Sequence, residues 1–534
     1  MRSSRLTALV ILGGLLAGGL VLDAADSEDS APPAQPAGAR AAMPAAAPEG
    51  SLSSTWYCAG GTASDDGIAD HVVLIANPTD QPRRAVVSVL TGVFAAAGVD
   101  ADTTASSTTS TAPPQTTTTK PPPAPPAPKA VDIPAQSRVE VSLRQLVKAP
   151  LASAIVEVEG GEVAVEHEIT TLAEGGGRAT APCSATASQS WSFPWGVTSR
   201  GARELMVFMN PFPDDATVTI DFATDKGSRQ ALRFQNFVVP GRSVVGAYID
   251  QDVTRRTQVS AQVHVGSGRL VVDRIQTFDG TDPALEGITL GLGAPRLAEV
   301  WTFPFGVIDP ATTERVVVFN PTDDVAEVEV EALEDPDKNG VPEPFEATIA
   351  PHRYGIIDLA EPDLEVTATT PRRIPDGVNH SIIVRSLNGV PVAAEKVMTR
   401  AEPSPNQGVG SMLGSPLAAP TWLLAAGGVS DERAEVVTVF NASDTEAAHF
   451  SIDALSEGRR LVIEGLQDLE LPPGGRQSIS MHLRVDLEEL PLVVSADRPV
   501  AVERGFFRRN GRGISLSMGI PVDQDILVFD PIDG

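Results

Sequence analysis

Apolar and polar side chains alternate with period two in many short runs, among them Thr217-Val-Thr-Ile-Asp-Phe222 and Ala326-Glu-Val-Glu-Val-Glu-Ala332. Alternation of this kind is what a strand with one buried face requires. Between residues 203 and 292 it predicts about seven strands, near 203–210, 216–223, 231–238, 243–249, 258–265, 269–277 and 286–292. The runs are themselves repeated. Val316-Val-Val-Phe-Asn320-Pro-Thr-Asp has close counterparts ending at Asn77, Asn210 and Asn441, with Ala442 replacing the proline in the last.

Four markers recur in fixed order and divide the chain into four copies. A tryptophan opens each copy (Trp56, Trp191, Trp301, Trp422), and the strand ending in the asparagine follows. Next comes a turn with an arginine, then a strand ending in an acid such as Val500-Ala-Val-Glu503. A last short strand closes each copy, visible in Gly287-Ile-Thr-Leu-Gly-Leu-Gly293 and its equivalents. About 110 residues with seven short antiparallel strands is the size of an immunoglobulin-like sandwich; a four-stranded propeller blade of about 45 residues fits worse. The expected fold class is therefore all-β: four tandem immunoglobulin-like antiparallel β-sandwich units after an N-terminal hydrophobic helix. The expected boundaries are 51–187, 188–297, 298–418 and 419–521, with a C-terminal tail at 522–534.

The flanking and inserted segments place these units. Arg2 and Arg5 precede an uncharged run from Leu6 to Leu22, so residues 1–22 are expected to be an export signal or membrane anchor that leaves the rest of the chain outside. Residues 23–50, rich in Ala, Pro, Ser and Asp, have too little apolar surface to offset ordering and are expected to form a disordered tether. The first copy carries a Thr- and Pro-rich insertion at about 94–130, longer than a compact unit accommodates as an ordinary loop and similar in composition to glycosylated stalks.

Composition narrows the chemistry. The 534-residue chain has 69 acidic and 40 basic side chains, a formal net charge of −29, which repels phosphate backbones and argues against nucleic acid as a partner. Only Cys58 and Cys183 are present, and in an exported chain two cysteines most simply form one disulfide. Cys58 lies two residues after Trp56 and Cys183 eight before Trp191, so the bridge would tie the first strand of the first unit to its last.

The recurring arginine and acid suggest four structural ion pairs between neighbouring strands: Arg138 with Glu166, Arg242 with Asp273, Arg353 with Glu395 and Arg476 with Glu503. The opening tryptophans are expected in the cores, where a large ring buries much apolar area; exposed Trp195, Phe303 and Phe305 would instead suit a sugar-binding platform. Each asparagine is expected to bond its own downstream backbone and end its strand. Asp335, Asp337, Asn339 and Glu346 match a calcium-loop spacing. Three nearby prolines and the flanking strands favour a plain hairpin turn there, and calcium is the only cofactor considered. His167-Glu168-Ile-Thr-Thr171 starts like a zinc-protease motif but has threonine where the second ligand belongs.

Together these markers resemble an exported actinobacterial family carried as a domain of unknown function, over about residues 51–521. The resemblance implies no activity. The resulting expectation is an extracytoplasmic cell-envelope protein, tethered to the membrane or secreted. It would serve as a non-enzymatic scaffold, spacer or adhesin-like binding module, with cell-wall polysaccharide or envelope proteins as partners. The alternative is a carbohydrate-binding or carbohydrate-active envelope enzyme.

Overall fold

The computed structural model describes residues 41–95, 124–172, 176–282, 284–334, 342–360, 373–430, 433–508 and 511–529. The N-terminal hydrophobic run, most of the insertion, and Asp335, Asp337 and Asn339 lie outside the described residues. Among the described residues no helix is long and apolar enough to cross a membrane. The chain is all-β, and its helical elements there are three-residue 3-10 turns such as Leu143–Gln145.

Each unit has eight strand positions in two facing antiparallel sheets. In the third unit the first sheet runs Val300–Val307, Asn379–Ser386, Ala326–Glu334, Phe345–Ile349, and the second Arg353–Asp358, Thr312–Asn320, Ala393–Arg400, Asn406–Leu413. In chain order that is 1-6-3-4 against 5-2-7-8. An immunoglobulin constant domain instead groups its first, second, fifth and fourth strands, so the immunoglobulin-like strand order is not what forms. Periodicity reports which face a strand buries, not which neighbour it pairs with.

Two further differences have local causes. The strand expected at 231–238 is split into Gly227–Gln230 and Phe237–Val239 by a 3-10 turn, Leu232–Phe234, that puts Phe234 into the core. In the fourth unit the sixth and seventh positions are one continuous strand, Leu492–Arg508, which passes from one sheet to the other.

The recurrent side chains explain why the sandwiches close. All four opening tryptophans are buried. Trp191, Trp301 and Trp422 donate Nε1–H to the carbonyls of Leu270, Val392 and Val500 at 3.1, 2.9 and 2.7 Å, each three residues before the recurring acid. The ring thus spans from the first sheet to the acid strand of the second and satisfies its one donor there. The asparagines are equally buried. Asn320 donates Nδ2–H to the Asp324 and Ile349 carbonyls and accepts the Thr322 N–H at Oδ1; Asn77, Asn210 and Asn441 do the same in their own turns.

The units are not a string of separate bodies. The described residues form one compact body, in which the four closing strands (Arg178–Pro182, Leu285–Leu292, Asn406–Leu413, Ile514–Met518) pack against one another around a common axis. Near one end of the axis, glycines make the approach possible: a Cβ on Gly408, at φ +130°, would lie 3.0 Å from the Gly513 nitrogen and 3.1 Å from the Glu286 oxygen. The first and second units are also joined by parallel pairing of Gly92–Phe94 with Val244–Gly246.

Residues 41–50, expected to belong to the tether, are instead built into the ring. Ala46 bonds Pro521 and Asp523 of the fourth unit, and the Ala47 carbonyl accepts from Glu162 of the first. Ala42, Met43 and Pro44 help line an axial cavity of about 50 Å³ with residues of all four closing strands. Part of the expected C-terminal tail is likewise paired, Leu527–Val528 lying against Leu417–Ala418.

Cys58 and Cys183 form the expected disulfide, 125 residues apart in sequence, flanked by reciprocal Tyr57–Ser184 backbone bonds at 2.8 and 2.9 Å. A loop of this length predicts a chain-entropy contribution of at most ~4–5 kcal/mol. Urea unfolding of a Cys58→Ser/Cys183→Ser variant should show a loss of a few kcal/mol within that bound. A loss below about 1 kcal/mol would mean that the surrounding sheet already confines these ends in the unfolded chain.

Candidate functional site

The four acids stand in equivalent places: Glu166, Asp273, Glu395 and Glu503 pair with Leu74, Val207, Val317 and Thr438, each three residues before the turn asparagine. The arginines do not. Asn77 and Asn210 pair with Ser137 and Ser243, Asn320 pairs with Arg353, and Phe440 pairs with Arg476. Arg138 therefore lies one residue past the asparagine level, Arg353 on it, and Arg242 one before it in a left-handed turn position at φ 51°. The expected pairs Arg138–Glu166, Arg242–Asp273, Arg353–Glu395 and Arg476–Glu503 do not form. The strand ending in asparagine runs between arginine strand and acid strand, and the acids turn to the preceding unit instead.

Each acid reaches the preceding unit around the ring, at the backbone N–H four residues after the opening tryptophan. Asp273 accepts from Gly60 at 2.6 Å, Glu395 from Trp195 at 3.1 Å and Glu503 from Phe305 at 3.0 Å; Glu166 of the first unit accepts from Ala426 of the fourth. The ring is therefore closed.

The cation at each seam is the residue directly after the preceding unit's own acid. Arg274 holds Glu395 bidentately, and Lys396 donates to Glu503 at 2.7 Å. Arg504 binds both Glu166 oxygens at 2.9 Å and the Ala426 carbonyl at 2.7 Å. At the first seam the position is His167, 3.6 Å from Asp273. Two of the marker arginines do clamp a neighbouring unit: Arg138 donates to the Gly427 carbonyl at 3.0 Å, beside the Ala426 N–H that Glu166 accepts, and also pairs with Glu140, while Arg476 donates to the Asn379 carbonyl of the third unit at 2.6 Å.

A second acid, six residues before each asparagine, was not anticipated. Glu204, Glu314 and Glu435 are buried beside the cation, and the first unit has His71 there. Glu435 accepts from Gly428 at 3.0 Å; Glu314 accepts from Val307 at 3.1 Å and faces His380. Each stands at the same spacing before its asparagine, ahead of a mostly apolar stretch, and that is the sequence trace it leaves. In the first unit His71 Nδ1 meets the Ala152 carbonyl at 2.8 Å and its Nε2 meets His167 Nδ1 at 3.0 Å.

Burial sets the protonation of these groups. It raises Glu204 to about 8, against the opposing pull of Arg274, and Glu435 to about 7, against Arg504 and Arg433. Asp273 is likewise pushed up to about 7, opposed by the Gly60 and Ala59 N–H groups. Burial also raises Glu503, against Lys396. It lowers His71 to about 4, and it holds His167, with His71 beside it, well below the usual imidazole value. The first seam is thus largely uncharged below neutrality, whereas the other three carry a fixed cation.

The calcium-loop residue that is described, Glu346, lies exposed on a strand opposite Glu329. Among the described residues no group of three or more His, Cys, Asp and Glu is placed to hold a metal ion. Trp195, Phe303 and Phe305 are 5, 0 and 8% exposed, packed into the seams rather than displayed.

Residues 162–407 match a family of unknown function (DUF5719). No curated protein matches the chain. Among solved structures, similarity is found to Thermotoga maritima 1070, at 21% identity over 22% of this chain and 92% of that one with a TM-score of 0.17. It is found also to the Anabaena sensory rhodopsin transducer, at 21% identity over 18% and 78% with a TM-score of 0.15. A Streptomyces avermitilis alpha-L-rhamnosidase complexed with L-rhamnose shares 8% identity over 71% and 44%, with a TM-score of 0.13. The disulfide suggests an extracytoplasmic location.

Two outcomes test the seams. Arg504→Met should strand buried Glu166 and cost ~3–5 kcal/mol, while Glu166→Gln/Arg504→Met should recover much of that loss; denaturant unfolding of both variants measures it. Glu204, raised to about 8 in the fold, favours the native state fully below its unfolded value near 4.5, and that contribution is lost as pH rises toward 8. Glu204→Gln should therefore gain on the native chain between pH 5 and 8, by at most ~4 kcal/mol, in unfolding curves at the two pH values. The depressed histidines act in the other direction: their contribution is complete above about 6.5 and is lost as pH falls toward 4.

Proposed function

We propose that the chain is a non-enzymatic, extracytoplasmic cell-envelope protein, a rigid ring that serves as a scaffold or binding module. The observation that carries this reading is where the reactive groups reside. Carboxylates displaced toward neutral pKa values often mark catalytic sites. Here Glu204, Asp273, Glu435 and Glu503 are at most 1% exposed, and each lies within a joint between units. A general acid must reach the proton it transfers, and these groups face protein on every side. Their displaced values follow from burial in the joints.

The burial of Trp195, Phe303 and Phe305 supports the same reading over an aromatic sugar-binding platform. The hydrophobic run at residues 1–22 would tether the ring to the membrane or direct its secretion. Cell-wall polysaccharide or envelope proteins would be its partners.

The purified full chain, incubated with insoluble envelope polysaccharide, should be retained on it or on its associated proteins without releasing new reducing ends. Sustained release of sugar fragments, dependent on any exposed carboxylate pair, would overturn the reading in favour of an enzyme.

A further inference from the structure

In a body made of four copies, a place where one copy departs from the other three points to a task the others lack. The groove between the fourth and first units is such a place. Three and four residues after its acid, the fourth unit has Phe506 and Phe507, where the others have Ile169-Thr170, Gln276-Thr277 and Met398-Thr399; the following Arg508 has a counterpart in Arg400 of the third unit. Eight residues before its asparagine it has Arg433, where the other units have Ala69, Ala202 and Thr312.

These departures converge. Arg433 stacks 3.9 Å above the Phe506 ring and donates to Glu168 of the first unit at 3.3 Å. Arg178, on the first unit's closing strand, donates to the same carboxylate at 3.1 Å. Arg508 is half-buried and makes no ion pair among the described residues. All three arginines open on one cavity of about 430 Å³ that also includes Ser515 and the exposed Glu488.

One carboxylate shared by two guanidiniums, with a third beside them, leaves donors to spare in a chain whose net charge is −29. A guanidinium held flat on an aromatic ring presents its fork in a fixed direction, suited to carboxylate and phosphate oxygens. The volume is that of a small-ligand site. Cohesion alone does not require this arrangement, since the other three seams close without it.

We propose that this groove binds an anionic sugar, a hexose-sized unit bearing a carboxylate or a phosphate. Arg433 is the fixed anchor, and Arg178 and Arg508 are the adjustable contacts. The inference rests on the binding-module reading and names its ligand class.

Calorimetric titration of the full chain with glucuronate, glucose 1-phosphate and glucose tests it. At least one of the two anions should bind and glucose should not, and the anion that binds identifies whether uronic acid or sugar phosphate is the source. Arg178→Ala/Arg508→Ala should weaken that binding at least tenfold, whereas Arg353→Ala, an exposed arginine on another seam, should leave it unchanged. Absence of binding by both anions up to about 10 mM, or equal affinity in the double variant, overturns the proposal. Neither outcome touches retention on envelope material, so the scaffold reading stands or falls separately.

Discussion

The structure depends on one contact made four times: a buried carboxylate accepting a backbone N–H from the unit before it. A carboxylate removed from water is costly unless both its charge and its lone pairs are met. Here the N–H four residues past a tryptophan meets the lone pair, and at three of the four seams a basic residue following the neighbour's own acid meets the charge, whereas at the first burial raises the acid itself toward neutrality. Both partners come from the adjoining unit. Neither unit of a pair can present its half to solvent without leaving polar groups unsatisfied, so the units behave as one body instead of as beads.

The seams share geometry but not chemistry. Arg274 and Arg504 offer flat, bidentate forks, and Arg504 uses its reach to take a backbone carbonyl as well. Lys396 is a point donor, which donates to the Phe305 carbonyl as well as to Glu503. The first seam replaces the cation and the second acid with His167 and His71, so a fixed charge is exchanged for one that titrates. That seam is also the one reinforced by parallel strand pairing at Gly92–Phe94.

Much of each unit was legible because the relevant forces act locally. Alternation gave the strands, the tryptophans and asparagines bury and bond as their chemistry demands, and Cys58 and Cys183 meet as the repeat spacing implied. The acids were recognised as structural, but their partners were misjudged. Arg138, Arg242, Arg353 and Arg476 look equivalent in the linear sequence, yet a turn can place its arginine before, on or after the level of the asparagine. The true partners lie across unit boundaries, 338 residues apart for Glu166 and Arg504, where spacing carries no information. They were nonetheless in view as the second letters of Glu166-His167, Asp273-Arg274, Glu395-Lys396 and Glu503-Arg504. Ring closure itself leaves no periodic trace, because a string and a ring of the same units share one pattern.

Closure also sets an order of events during synthesis. Glu166 leaves the ribosome with the first third of the chain, while the guanidinium that neutralises it is among the last segments translated. Val522, which receives Ala46, emerges later still. Until then the early units expose the half-made joint of an unfinished circle, and a nascent chain in that condition has every reason to seek the same joint on a neighbouring molecule.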